Sequence, residues 1–333
     1  MREARYYTKL KEGDNLQCQL CSHNCIIAPG KTGRCRVRKN EQSRLITINY
    51  GLCSSLALDP IEKKPLYHFF PGYNILSLGS FGCNLSCGFC QNWEISQRVE
   101  EGRILRPEDI VILLKEIEEN CCGVAYTYSE PSVWFEFVED SSRLVQASGF
   151  KNVLVTNGML NEVPLRDLLE FIDALNIDLK AFTEEFYRKQ LGGSLKQVLK
   201  TIEICQESGK HLEITTLLIP GLNDSRTEIK SLAKWLSELS ADIPLHLSRY
   251  FPRYKFNRPA TPFKTLLEAR EIAREYLNYV YLGNLGITDY ADTNCIRCGQ
   301  LLIRRTGYFT QLVGLNNGVC ASCGYRPPLK GVV

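Results

Sequence analysis

The stretch Cys83-Asn84-Leu85-Ser86-Cys87-Gly88-Phe89-Cys90 sets three thiols at the spacing C-x3-C-x2-C, with no fourth cysteine in the same loop. Three thiolates can hold three corners of a [4Fe–4S] cube. The fourth iron then keeps an open position, as a catalytic zinc keeps one site for its substrate. A structural site closes that position, so the missing ligand points to chemistry. The plainer alternatives are a zinc site short of one ligand, or three unrelated buried thiols.

Two further cysteine sets flank this loop. Cys18, Cys21 and Cys25 read C-x2-C-x3-C, and Cys35 follows after nine residues. The turn-forming run Pro29-Gly30-Lys31-Thr32-Gly33 lets the chain fold back so that four sulfurs converge. Four thiolates close a tetrahedral zinc or complete a second cluster, and His23 could stand in for one of them. Near the other end, Cys295 and Cys298 pair with Cys320 and Cys323 as two C-x2-C knuckles 21 residues apart, each followed by glycine. That spacing fits a four-cysteine zinc site, with a redox disulfide pair as the alternative. Residues 301–305 and 308–313 read as a hairpin around Thr306-Gly307. So short a tail builds little core, and a metal would supply much of its folding energy.

The chain has 333 residues, 15 of them cysteine, with 44% hydrophobic and 23% charged residues. No run of 18 apolar residues occurs, which predicts no membrane span. The start, Met1 to Tyr7, lacks the apolar segment of a secretory signal. Clustered cysteines without such a signal point to metal sites in a reducing cytoplasm. The formal charge of +3 is too small to imply a polyanionic partner.

Positioning the loop falls to alternating strands and helices. Residues 74–79 read as a short buried strand directly before it. Strands are expected at 123–128, 152–156, 174–179, 211–219 and 244–248, with 279–282 as an extra edge strand. Helices are expected from Pro107 and over 132–147, 162–172, 195–207, 225–239 and 262–276. Such alternation predicts parallel strands with right-handed crossovers. Six units are too few for a full eight-fold barrel, leaving an open barrel or a doubly wound sheet. Residues 59–69, with two prolines and four charges, read as an ordered loop rather than a regular element. The expected division is an N-terminal cysteine-rich metal module with its connecting loop (1–72), a catalytic α/β domain (73–285) and a zinc-ribbon-like tail (286–333).

Ligands of such sheets gather at the carboxyl ends of the strands. There the sequence places Thr127-Tyr128-Ser129-Glu130-Pro131, then Thr156-Asn157-Gly158, then Asp178-Leu179-Lys180. A carboxylate with backbone carbonyls suits an ammonium. Strand alternation puts Asp178 and Lys180 on one face, and two charges at an interior rim are costly unless paired or used.

These motifs resemble those of the radical S-adenosylmethionine (radical SAM) enzymes, whose cluster loop is C-x3-C-x-aromatic-C, the aromatic here being Phe89. The resemblance implies a partial (β/α)6 barrel. Tyr128, Ser129 and Glu130 stand where many members bind the SAM amino group with a Gly-Gly-Glu segment, a partial match in which Tyr128 and Ser129 replace the glycines. Thr156, Asn157 and Gly158 match a similar segment after the third strand. The core is similar to the pyruvate formate-lyase activating enzymes, which share Asp-Leu-Lys. By that likeness Lys180 would meet the SAM carboxylate, with Asp178 beside it. Residues 218–224 also match that group's fifth strand and turn. Arg249-Tyr250-Phe251-Pro252 replaces the segment with its adenine-side histidine, and Phe251 could only stack. With its amino-terminal cysteines, residues 59–69 and the tail, the whole chain looks like the radical SAM component of the AmmeMemoRadiSam system.

The resemblance implies a [4Fe–4S] cluster on Cys83, Cys87 and Cys90, SAM, and reductive cleavage to methionine and a 5′-deoxyadenosyl radical that abstracts hydrogen. It also implies an external electron donor such as flavodoxin or ferredoxin, one or two zinc sites, and a protein or peptide substrate, as in glycyl-radical activases. A second reading is an RNA-modifying radical enzyme gripping RNA through Arg297, Arg304 and Arg305 of the tail. A third is a non-catalytic iron–sulfur protein for electron transfer or assembly.

Overall fold

The computed structural model describes residues 1–11, 13–117, 120–286 and 289–332. Eight strands form its main sheet. They are β1 (Ser55–Pro60), β2 (Asn74–Gly79), β3 (Cys121–Tyr126), β4 (Lys151–Thr156), β5 (Ala174–Asp178), β6 (His211–Leu218), β7 (Leu245–Arg249) and β8 (Val280–Gly283). From β2 to β8 every neighbouring pair is parallel, and the spatial order is the chain order. Between successive strands from β2 lie α1 (Pro107–Glu116), α2 (Phe135–Ala147), α3 (Glu162–Leu169), α4 (Leu195–Glu207), α5 (Arg226–Leu239) and α6 (Phe263–Arg274). A doubly wound sheet needs a reversal of strand order. None occurs among the described residues, so the winding is that of a barrel, left open because β1 and β8 do not pair.

The helices start where local chemistry favours them. Pro107 opens α1, and the Asp109 carboxylate accepts from the Arg106 amide at 2.8 Å. The Ser194 and Ser225 hydroxyls cap α4 and α5. Among the described residues, no helix is long and apolar enough to cross a membrane.

Residues 59–69 depart from the expected loop. Asp59 and Pro60 end β1, which pairs antiparallel with β2. A 3-10 turn, Ile61–Lys63, follows. Pro60 is tolerated because it sits at a strand's last position on the sheet edge. The charges that argued against a strand satisfy one another: Lys63 and Lys64 each donate to the Asp59 carboxylate at 2.7 Å.

After that turn the chain plugs the amino end of the sheet. Ile61, Leu66 and Phe69 pack on Ile75, Ala125, Val153 and Ala174, each from a different strand. The alternate residues Leu76, Val124, Leu154 and Leu175 belong to the larger core on the helix side. Burying Leu66 and Phe69 contributes about 1.5–3 kcal/mol each. Glu213 of β6 fixes the plug. Its carboxylate accepts the Tyr67 and His68 amides at 3.0 and 2.7 Å and the His211 and His246 rings at 2.9 and 2.6 Å. Burial alone would raise its pKa, but the histidine hydrogen bonds hold it well below the usual carboxylate range. Burial likewise keeps His68 neutral, with its pKa pushed down to about 3.

The amino-terminal residues form two small antiparallel sheets, Arg2–Glu3/Arg44–Thr47/Arg38–Glu41 and Tyr7–Lys9/Leu16–Cys18/Ile26–Ile27. The tail forms the expected hairpin from Leu301–Thr306 and Phe309–Leu312. It docks on the plug, where the Arg305 guanidinium donates to the Tyr67 carbonyl at 2.6 Å and Thr310 to Glu62 at 2.7 Å.

Candidate active site

The loop 83–90 leaves the carboxyl end of β2 and turns back under the ends of β4 and β5. Asn84 anchors it, donating to the Met159 carbonyl at 2.8 Å. The Ser86 amide donates to the Leu191 carbonyl at 2.9 Å. Leu191 ends a π turn, Tyr187–Leu191, that extends a short helix capped by Thr183. Gly88 admits no side chain, since a Cβ there would lie 2.5 Å from the Phe256 ring. Phe89 is buried beside that same ring, with centroids 5.5 Å apart, and beside Phe186 at 6.3 Å. The sheet supplies one wall of the loop and residues 254–256 the other, where the Lys255 amide bonds the Gly88 carbonyl at 2.8 Å.

Around Cys83 stand the ends of β3 and β4. The Asn157 amide nitrogen Nδ2 donates to the Cys83 Sγ at 3.5 Å and to Asn84 Oδ1 at 2.8 Å. Glu130 is buried, and both of its oxygens are engaged. Oε1 accepts from the Thr156 hydroxyl at 2.6 Å and the Ser132 amide at 3.0 Å, and Oε2 from the Asn157 backbone at 2.8 Å. The carboxylate therefore ties the turn after β3 to the turn after β4. Its charge lies close enough to oppose ionisation of Cys83, adding to the larger effect of burial. Ser129 sits half-buried in the same turn.

Tyr128 adopts a glycine-like backbone, with φ at +67°. Such a left-handed residue costs roughly 1–2 kcal/mol. Its hydroxyl donates to Asp59 at 2.5 Å, and the Lys64 ammonium lies 4.6 Å from its ring centroid. The plug thus reaches up the interior and holds the strained turn.

Around Cys87 stand the residues that follow β5. The Lys180 ammonium donates to the Asp178 carboxylate at 3.0 Å. Burial would lower the Lys180 pKa, but Asp178 and Cys87 together hold it above its usual value. Burial pushes the Cys87 thiol up to about 12, against the pull of Lys180. The Lys180 backbone is clamped at both ends. Its amide donates to the Tyr187 hydroxyl at 3.1 Å, and its carbonyl accepts from Asn223 at 2.7 Å. Asn223 belongs to the turn after β6 and was not singled out in the sequence, although it lies in a run that matches the activating enzymes. Thr215, level with Asp178 on the next strand, buries its hydroxyl with no hydrogen-bond partner among the described residues.

The structure therefore brings together Cys83, Cys87, Cys90, Glu130, Thr156, Asn157, Asp178 and Lys180 at one end of the sheet. The donor set suits a cluster. Three thiols share one loop, and their sulfurs meet the Leu85 amide, Asn157 and Ser96. The adjacent cation, anion and unpartnered hydroxyl suit a zwitterionic ligand.

The radical SAM superfamily signature matches residues 78–236, a span that contains all eight of these residues. The chain belongs to the radical SAM superfamily, and it is an enzyme of that superfamily. MJ0808, an uncharacterized protein of Methanocaldococcus jannaschii, is 40% identical over 334 residues, which cover 98% of each chain. A putative glycyl-radical enzyme activating enzyme of that organism, MJ1227, is 23% identical over 62% of this chain and 88% of its own. Streptococcus suis SuiB bound to S-adenosylmethionine shares the fold, with a TM-score of 0.52 at 17% identity, over 63% of this chain and 52% of that one.

The other cysteines form two separate groups. Cys18, Cys21, Cys25 and Cys35 line one pocket with Arg38. His23 is not among the lining residues. Its Nε2 meets the Asn84 carbonyl at 2.7 Å instead. Cys295, Cys298, Cys320 and Cys323 bring their sulfurs within 4.8 Å of one another at the opposite end of the molecule, beside the plug. In the tail, Arg305 is buried against Tyr67 and Thr293 and offers nothing to an RNA backbone.

Proposed function

We propose that Cys83, Cys87 and Cys90 hold the [4Fe–4S] cluster that membership of the superfamily implies, and that SAM fills the open corner. When bound, the two together supply one-electron cleavage of the sulfonium and a 5′-deoxyadenosyl radical that abstracts hydrogen. One observation carries the assignment: Lys180 and Asp178 stand beside Cys87 while Asn157 touches Cys83, so groups of both signs converge on a loop that leaves one corner free. Lys180 would receive the methionyl carboxylate. Asp178, Thr215 and the carbonyls of residues 127–129 would receive the ammonium. Glu130, already engaged by three donors, would act as a positioning residue for Thr156 and Asn157. Phe89 would support the loop through packing. Phe256, Tyr254 and the segment after β7 cover the loop from outside and would exclude water.

The substrate we propose is a protein or peptide side chain, in keeping with the activating-enzyme relatives. The rim next to the loop supports that class. Tyr254 stacks on Trp93 with ring centroids 4.8 Å apart, and the exposed Phe251 lies under Arg249. Aromatic and arginine groups of this kind are common in protein contacts. Electrons would come from an external one-electron donor of the flavodoxin or ferredoxin class. The tail quartet would bind zinc: its Sγ pairs Cys295/Cys323 and Cys298/Cys320 lie 3.6 Å apart, close to the roughly 4 Å that tetrahedral bonds of about 2.3 Å impose. We also propose a reducing cytoplasm, in which 15 free cysteines are stable. The division at residues 72 and 285 stands as a proposal, with β1 reaching from the first unit into the sheet of the second.

The test is anaerobic reconstitution of the full chain, then dithionite and SAM, with methionine and 5′-deoxyadenosine quantified. Equal amounts of both products are expected. An intact four-iron cluster that yields neither would refute the assignment.

A further inference from the structure

We infer that Cys18, Cys21, Cys25 and Cys35 hold a second [4Fe–4S] cluster, closed by four thiolates, which relays single electrons to the loop at 83–90. The relay role rests on the catalytic cluster proposed above, whereas the site itself does not.

The spacing of the sulfurs separates a cube from a single ion. Around one zinc, bonds of about 2.3 Å bring the thiolates to roughly 4 Å from each other. The tail quartet meets that geometry. The four amino-terminal cysteines line a common pocket, yet among the described residues no three of their sulfurs fall within 4.8 Å of one another. The three cysteines of the loop share that wider spacing. A cube carries its thiolates on its outer corners, further apart than one ion does. In one molecule, then, the tail is built for an ion, and the amino-terminal set resembles the loop.

The walls of the pocket fit an anionic group. Arg38 is 1% exposed and lines it. Its terminal nitrogens are spent on the Arg5 carbonyl and the Glu136 carboxylate, but among the described residues its Nε has no hydrogen-bond partner. An unmade bond to a buried guanidinium is costly, and a sulfur of a bound cluster would satisfy it. The Arg34 amide already donates to the Cys25 Sγ at 3.5 Å. Leu20 and Ile27 complete the lining and keep water out. His23 does not line the pocket, which leaves the four thiols as the ligands. Four protein ligands fill all corners, so the site has no place for SAM and suits electron transfer.

Position gives it a partner. The residues on either side of Cys83 touch the amino-terminal set. A Cβ built on Gly82 would lie 2.7 Å from the Cys35 carbonyl oxygen, and the Asn84 carbonyl meets His23. One electron from the external donor would reduce the amino-terminal cluster. Its passage to the loop cluster would return the former to its oxidised state, with no net proton or atom transferred.

The test uses the full chain reconstituted anaerobically, as wild type and as the triple variant Cys83→Ala/Cys87→Ala/Cys90→Ala. Iron, sulfide and zinc are counted per chain. The wild type is expected to hold about eight irons, and the triple variant about four with an equal number of sulfides. The reduced triple variant should show a cluster EPR signal that SAM leaves unchanged. A triple variant without iron would overturn the inference, as would two zincs in the wild type. The variant leaves residues 18–35 intact, so misfolding of the amino-terminal segment does not decide the result. Cleavage of SAM by the wild type is read separately, so failure of the catalytic assignment remains distinguishable.

Discussion

The two ends of the sheet bury charge for different purposes. At the amino end, Glu213 accepts four hydrogen bonds and closes the plug, beside which His68 Nδ1, Glu62 Oε2 and Arg305 Nε have no hydrogen-bond partner among the described residues. At the carboxyl end, Glu130 accepts three, Lys180 pairs with Asp178, Thr215 has no hydrogen-bond partner among the described residues, and these last three lie by a three-cysteine loop. The cysteines follow the same division. The tail beside the plug has four sulfurs within 4.8 Å of one another, whereas the loop has three that form no such group among the described residues. What sets the carboxyl end apart is the placement of its charge pair beside three thiols of one loop, which we propose receives a ligand.

That contrast can be broken experimentally, and the largest effect belongs to the loop. Cys87→Ala should lower 5′-deoxyadenosine formation by more than about 100-fold, above what loss of a residue outside the ligand set costs. Zinc content, measured in the same sample, should not change. At the other end, Glu213→Gln should destabilise the fold by about 3 kcal/mol in denaturant unfolding, as expected when one partner of a buried charged network is removed. Its pH dependence has a definite sign. The folded-state pKa of Glu213 lies well below the ordinary 4.5. Its contribution is therefore fully present above that value and is lost as pH falls through the lowered one. The variant should lack this part of the acid limb.

Lys180→Ala sharpens the contrast at the ligand. SAM affinity should fall by about 30-fold or roughly 2 kcal/mol, the lower range for truncating a buried charged partner, with iron content unchanged in equilibrium dialysis. Loss of iron instead would make Lys180 part of the loop's scaffold. The smallest catalytic effect is expected in the tail. Cys298→Ser should release zinc and open residues 293–330 to protease, while substrate-free SAM cleavage changes less than about twofold, since among the described residues the tail docks on the plug at the other end of the sheet.

Much of this arrangement was legible in the sequence because local signals and tertiary roles agree there. The cysteine spacing names the loop, and apolar runs bounded by Pro107, Gly158 and Ser225 place the strands and helices close to where they lie. Asp178 and Lys180 were legible through strand alternation. Residues 59–69 were not. Their charges and prolines suggest a loop, and only pairing with β2 and the long reach to Glu213 and Tyr128 make them a strand and a plug. Glu130 was found, but its saturation by Thr156, Ser132 and Asn157 depends on contacts between separate strands that spacing does not encode. Asn223 escaped notice for the same reason. Nothing local marks an amide that clamps a carbonyl 43 residues away.

The central claim is that the open corner at residues 83–90 commits this chain to reductive cleavage of SAM. The most direct measurement is 5′-deoxyadenosine formed per chain by the anaerobically reconstituted, dithionite-reduced protein, beside the Cys87→Ala variant. The account predicts product from the wild type, matched by methionine, and background from the variant. Equal product from both, or none from a wild type with its iron intact, would contradict it.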